Sequence, residues 1–120
     1  MKEKLLILLF FSISLVSCKK TVYEDNPPQL EITVLDSNLE KVSNAEVILY
    51  ESESDLAEDK NEKSRTSSNS GGIALFENLE TKIYYINVLK NDYNHKEAIT
   101  HLKNALNLNE KIKLTITINN

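Results

Sequence analysis

Tryptophan is missing from this 120-residue chain, cysteine and methionine occur once each, and glycine, proline and histidine occur twice each. The lone cysteine, Cys18, excludes an internal disulfide, which takes two thiols. It equally excludes a cysteine-built structural zinc site, which takes several. Arginine occurs once, at Arg65, and 14 basic residues stand against 18 acidic ones, for a net charge of −4. That balance supplies no basic face for a phosphate backbone, so no nucleic-acid partner is expected. Long apolar runs are scarce too. The longest, Leu5–Val16, has about a dozen residues where a bilayer core takes roughly 20 in a helix, so a membrane-spanning helix is not expected.

What is present begins with Met1-Lys2-Glu3-Lys4, a short positive segment, followed by LLILLFFSISLV. Charge followed by an apolar stretch of this length is the layout of a secretory signal peptide. The stretch ends Leu15-Val16-Ser17-Cys18 rather than in a small-x-small cleavage site. An aliphatic residue, a variable one, a small one and a cysteine resemble the lipobox of bacterial lipoproteins. The resemblance implies that Leu15, Val16 and Ser17 are read by the signal peptidase. It also implies that Cys18 becomes the acylated amino terminus, carrying diacylglyceryl and an amide-linked chain such as palmitate. A single acyl chain holds a protein to a membrane only marginally, whereas two or three hold it durably.

Residues 18–120 carry a charge of −5, because Lys2 and Lys4 outweigh Glu3 in the segment that would be removed. That length suffices for one domain, and its core needs no crosslinks, since a chain of about a hundred residues buries somewhat over ~60% of its unfolded surface. The expected organisation is a signal peptide over 1–17, a lipidated cysteine and flexible tether over 18–28, and a β-sandwich over 29–120. The tether ends Asn26-Pro27-Pro28, and consecutive prolines favour extended backbone.

From Gln29 onward the dominant period is two. Leu30, Ile32 and Val34 share one face of a strand, with Glu31 and Thr33 on the other. Ser37–Asn44 is turn-rich. Ala45–Tyr50 reads as a second strand whose unbroken apolar middle implies burial on both faces. Glu51–Gly72 is charged and serine-rich, a long loop with a short strand expected around Ser64–Ser67, and Gly71-Gly72 supply a turn. Ile73–Leu79 and Lys82–Lys90 are further strands. In the latter, Ile83, Tyr85, Asn87 and Leu89 alternate with Tyr84, Ile86 and Val88. The NDYNH turn follows. Glu97–Leu108 fits a helix by Ala98, Leu102 and Ala105, or a strand by Ile99 and Thr100. Last, Ile112, Leu114, Ile116 and Ile118 alternate with Lys113, Thr115 and Thr117. Six or seven strands at short intervals predict an all-β, antiparallel sandwich.

The stretches LEITVLDSNLEKVSNAEVILY, SGGIALFENL and YYINVLKNDY resemble, in content and order, the carboxypeptidase regulatory-like domain. That family is related to the transthyretin (prealbumin-like) and Cna-B modules. The resemblance covers about Leu30 to Tyr93 and implies a prealbumin-like sandwich. In it Ala45 lets the chain turn closely into the second strand, Gly72 opens a hairpin, and Phe76, Leu79 and Tyr85 fill the space between sheets. Where the family often carries glycine in its first turn, Asn38 and Asn44 stand here, and asparagine tolerates left-handed backbone.

Catalytic constellations find little support. His95 and His101 are six apart, unlike the i, i+4 pair of a helical zinc site, and read as partly exposed loop residues. The hydroxyisourate hydrolases among the transthyretin-like proteins need histidines early and late and a Tyr-Arg-Gly-Ser type terminus; this chain reads Thr117-Ile118-Asn119-Asn120. The lysine–asparagine bond of some Cna-B modules needs an inward lysine on the first strand and an acid nearby, and neither is found. Glu51, Glu53, Asp55, Glu58, Asp59 and Glu62 lack the spacing of a calcium loop and read as a solvated face. Ser64–Ser70 holds no Gly-x-Ser-x-Gly elbow. No cofactor and no metal are expected.

The chain therefore reads as a non-catalytic, lipid-anchored envelope lipoprotein similar to small lipoproteins of the Bacteroidota type. Its partners would be the membrane, through Cys18, and an envelope protein or glycan met by the long loop or an exposed sheet edge. The alternative is a glycan- or peptide-binding lipoprotein with an aromatic platform from Tyr84, Tyr85 and Tyr93 at the loop end. By the sorting rule of some Gram-negative lipoproteins, Lys19 after the cysteine points to the outer membrane. The lack of acidic residues directly after Cys18 favours the periplasmic face over the cell surface.

Overall fold

Alternation in QLEITVL builds the first strand and aims Leu30, Ile32 and Val34 inward, where all three are fully buried. The structure is a computed structural model that describes residues 25–90 and 96–119. Leu15, Val16, Ser17 and Cys18 lie outside the described residues, as does the NDYNH turn with Tyr93 and His95. Among those described, the elements run β1 (Gln29–Leu35), β2 (Glu46–Tyr50), α1 (Glu53–Glu58), β3 (Ser64–Ser67), β4 (Ile73–Phe76), β5 (Tyr85–Lys90), β6 (Lys96–His101) and β7 (Lys111–Thr117).

They form a sandwich of two sheets, ordered β4-β1-β7 and β3-β2-β5-β6. The expected antiparallel pairing holds in every pair but one. β1 and β7 run parallel, in register from Gln29 opposite Lys111 to Leu35 opposite Thr117. A two-residue hairpin can join only antiparallel strands. These two are the first and last strands, joined through the whole intervening body, so nothing local forces them antiparallel.

The space between the sheets is filled by Leu30, Ile32, Val34, Val47, Leu49, Ala74, Phe76, Leu79, Tyr84, Ile86, Val88, Ile116 and Ile118. Each large side chain among them contributes roughly 1.5–3 kcal/mol by leaving water. Tyr85 does not join them, contrary to the expectation from resemblance. Strand alternation sends Tyr84, Ile86 and Val88 inward, so Tyr85 and Leu89 point out.

The long loop is more ordered than its composition implies. It contains α1, whose amino end is capped by Ser52 Oγ accepting from the Asp55 N–H at 3.1 Å. The helix ends at Asp59, in left-handed backbone with φ 54°. Its single buried residue, Leu56, packs on Ile48 and Tyr50 of β2, with Tyr85 and Leu89 beside them. This second cluster explains the unbroken apolar run of β2: Val47 and Leu49 face the main core, while Ile48 and Tyr50 face the helix. The expected short strand at Ser64–Ser67 is present as β3.

Two further details differ from what the sequence suggests. Left-handed backbone in the first turn falls on Leu39 (φ 64°) and not on Asn38, although Asn44 (φ 61°) adopts it as expected. The Asp36 carboxylate accepts the N–H groups of Asn38 and Glu40 and so holds the turn closed around Leu39. The ambiguous segment is strand up to His101 and irregular after it, so His101 ends a strand and does not sit in a loop.

Candidate functional site

The outer face of the four-stranded sheet carries a row that spans three strands. Register sets Tyr50 of β2 opposite Tyr85 of β5, and Tyr85 opposite His101 of β6. Tyr50 is fully buried beneath α1, Tyr85 is half-buried and His101 is exposed, so the row grades from covered to open.

Its covered end is fixed by Tyr50 Oη donating to Asp59 Oδ1 at 2.6 Å. Burial first, and the Asp59 bond second, push the Tyr50 phenol up to about 12. At the open end His101 Nδ1 donates to the Leu102 carbonyl at 2.8 Å. That bond makes Nδ1 the protonated nitrogen of the neutral ring and leaves Nε2 as an acceptor. The rings of His101 and Tyr85 lie 5.6 Å apart at 41°. The pair of rings can stack on a ligand, and the Nε2 acceptor can receive a hydrogen bond from it.

Next to His101, a groove of about 510 Å³ opens between the free edges of β6 and β7. Leu102, Ala105 and Leu106 form one wall and Ile112 and Leu114 the other. Ile99, more than half exposed on β6, lies on the same outer face as His101. A smaller polar cleft of about 400 Å³ lies by Asn26, Glu77, Asn109 and Glu110.

The expected site residues are dispersed. Tyr84 is fully buried, its hydroxyl accepting the Glu80 N–H at 3.0 Å, so it and Tyr85 cannot share a platform. The acidic residues of 51–62 are held apart by separate partners. Glu58 pairs with Lys60 at 2.7 Å, and Glu51 lies between Lys63 at 3.6 Å and Lys82 at 3.3 Å. Arg65 bridges Glu62 and Glu46. Its guanidinium holds the Glu62 carboxyl below the usual carboxylate range, and Lys82 does the same for Glu80. Among the described residues no three acidic, histidine or cysteine side chains converge as metal ligands. Of the serines, Ser68 is buried and structural: its Oγ donates to the Val42 carbonyl at 2.6 Å and accepts the Ala45 N–H at 3.0 Å. The Tyr50–Tyr85–His101 row escaped sequence reading because its members are 35 and 16 positions apart. Only the pairing of β2, β5 and β6 makes them neighbours.

Solved structures show the same architecture. The chain is similar to the Bacillus anthracis TIE protein at 16% identity and a TM-score of 0.57, over 80% of this chain and 16% of that one. It is also similar to the major pilin subunit of Bacillus cereus at 22% identity and a TM-score of 0.50, over 79% of this chain and 30% of that one. This chain thus spans less than a third of either protein, and the likeness is one of fold. No family model matches the sequence, and no curated protein does.

Proposed function

We propose that this chain is a non-catalytic β-sandwich module, of the carboxypeptidase regulatory-like and Cna-B kind, anchored to a bacterial envelope by acyl chains on Cys18. The observation that carries the proposal is the run Leu15-Val16-Ser17-Cys18 placed directly after an apolar stretch too short to span a bilayer. Its work is structural or adhesive, presenting a rigid domain beside the outer membrane, on the periplasmic face, to an envelope protein. A sandwich similar in fold occurs in a major pilin subunit, which supports a structural role. Metabolic labelling with a fatty acid tests the anchor. The wild type takes up label and partitions with membranes, and Cys18→Ser loses both. Identical soluble fractionation of the two forms overturns it.

A second reading, binding of a glycan or peptide, is favoured by the Tyr85–His101 ring pair beside the groove at Leu102 and Leu106. Glycan-array or peptide binding that Tyr85→Ala abolishes supports it. Binding that survives Tyr85→Ala removes it.

A further inference from the structure

The two lateral sides of the sandwich are finished differently. On one, β3 passes into β4 through residues 68–72, where the Ser68 N–H bonds the Ala45 carbonyl and the Asn69 N–H the Ile73 carbonyl. On the other, β6 and β7 end their sheets, and among the described residues no strand pairs with either edge. The groove at Leu102 and Leu106 lies on this open side. Ile112 and Leu114 of β7 and Ala98 of β6 pack on the main core there, yet all three stay only half-buried. The loop that leads into β7 is fixed in place. Its Leu106 N–H bonds the Lys82 carbonyl at 3.1 Å, and Asn109 holds Asn26 by donating to its carbonyl at 2.8 Å and accepting its N–H on Oδ1 at 2.7 Å.

Pairing with β1 decides which backbone groups of β7 look outward. The Gln29 N–H bonds the Glu110 carbonyl at 2.9 Å, and the Ile118 N–H bonds the Leu35 carbonyl at 2.8 Å. In a parallel ladder alternate residues of a strand face the partner, so the even-numbered residues here turn to β1. Lys111, Lys113, Thr115 and Thr117 therefore turn their N–H and C=O groups to the open side. Their side chains lie on the outer face of the sheet, with Ile112 and Leu114 on the inner face. Charge narrows what fits beside them. Lys103 lines the groove and Lys113 flanks the open edge, and neither has an ion-pair partner among the described residues. The one acid lining the groove, Glu110, is engaged by the Asn107 N–H at 3.0 Å.

We infer that β7 receives an extended segment of a partner protein as a fourth strand of its sheet, and that this segment alternates apolar with acidic residues. The inference rests on the reading of the groove as a peptide site and supplies its mode. An added strand places every second side chain on the inner face, over Ile112 and Leu114, and the others on the outer face beside Lys113. The first set must be apolar to finish the core, and the second acidic to meet the lysine. β7 is seven residues long, so a partner segment of about seven residues, roughly 23 Å, spans it. A second copy offering the same edge would set lysine against lysine and is disfavoured.

Fluorescence anisotropy of dye-labelled, end-capped peptides tests this on the full chain. The probe is a seven-residue peptide alternating glutamate and valine, and its counterpart carries lysine for glutamate. The glutamate peptide is expected to bind about tenfold more tightly or better, a preference that Lys113→Glu reverses. The Thr115 N–H faces the open side, so Thr115→Pro keeps the bonds to β1, removes an edge donor and weakens binding by about tenfold. Two N-methylated probes check the backbone on wild-type protein, one methylated at every glutamate and one at every valine. Strand addition buries only one of these two sets of N–H groups, so one probe loses binding and the other keeps it. An equal effect of both methylations overturns strand addition and leaves peptide binding standing. Binding without preference between glutamate and lysine overturns the acidic partner. Failure of both unmethylated peptides to bind overturns the inference together with the peptide reading. A wild-type dimer that Thr115→Pro converts to monomer puts a second copy on the edge and also overturns the inference.

Discussion

Tyr50 and Asp59 are joined by a 2.6 Å hydrogen bond that ties an inner strand of the four-stranded sheet to the residue capping the carboxyl end of the only described helix. α1 is six residues long, and an isolated helix that short is not stable in water. Its order comes from what it covers, Ile48 and Tyr50 through Leu56, and from this one polar bond.

Tyr50→Phe is expected to cost roughly 1.5–3 kcal/mol, the range for a hydrogen bond to a charged group. The same variant reports on pH. The phenol is raised to about 12 in the folded chain against 10 in the unfolded one. The unfolded state therefore loses this proton first, and stability falls as pH rises from 10 towards 12. Below pH 10 the contribution is fully present. Urea midpoints at pH 8, 10 and 11.5 should converge for wild type and Tyr50→Phe as pH climbs. A constant gap would show that the bond does not depend on the protonated phenol.

Ser68→Ala removes the hydroxyl that serves two backbone groups, the Val42 carbonyl and the Ala45 N–H. Both sit where the chain crosses from one sheet to the other. Leaving a buried backbone group unpaired costs about 1–3 kcal/mol, so a loss of at least 2 kcal/mol is expected in chemical denaturation. Ser70→Ala, one loop position from Gly71, serves as the control and should change stability by less than about 0.5 kcal/mol.

Gly72 and Gly71 are neighbours with different requirements. Gly72 has φ 77°, and a Cβ there would stand 3.0 Å from the Val34 carbonyl oxygen and 3.1 Å from Lys41 Cβ. Gly71 meets only the Asn69 side chain, at 3.3 Å. Gly72→Ala is expected to lose about 1–3 kcal/mol through backbone strain and contact with a rigid strand. Gly71→Ala should lose well under half as much, and similar losses at both positions would contradict the turn geometry.

Arg65→Ala breaks the bridge from Glu62 to Glu46 on the edge strand β3. All three side chains are solvent-accessible, so the expected loss is about 1 kcal/mol or less, and it should shrink in 0.5 M salt. A larger, salt-independent loss would mean that the guanidinium stem packs on the sheet.

Much of the fold is legible in the sequence because strand alternation is local. Leu30, Ile32 and Val34 declare an inward face by spacing alone, and β2 declares double burial by having no polar interruption. The helix was not legible in this way. Ser52 and the acidic first turn are a capping signal, but one buried leucine in six residues carries too little periodicity to stand out from a polar loop. The Tyr85 error has the same origin: the motif resemblance places a tyrosine in the core, and adjacent Tyr84 and Tyr85 can be told apart only once the strand's phase is set by its neighbours.

By itself the sequence determined the all-β character, the inward face of β1 and the lipobox-like run ending at Cys18, since each depends on residues a few positions apart. Tertiary structure alone decided the parallel pairing of β1 with β7, the meeting of Tyr50, Tyr85 and His101 in one row, and the grip of Asn109 on Asn26. Those contacts join positions from 16 to 83 residues apart, and no local preference encodes them. They arise because strands far apart in the chain close as two sheets over one apolar core, which sets the register that carries the remaining contacts.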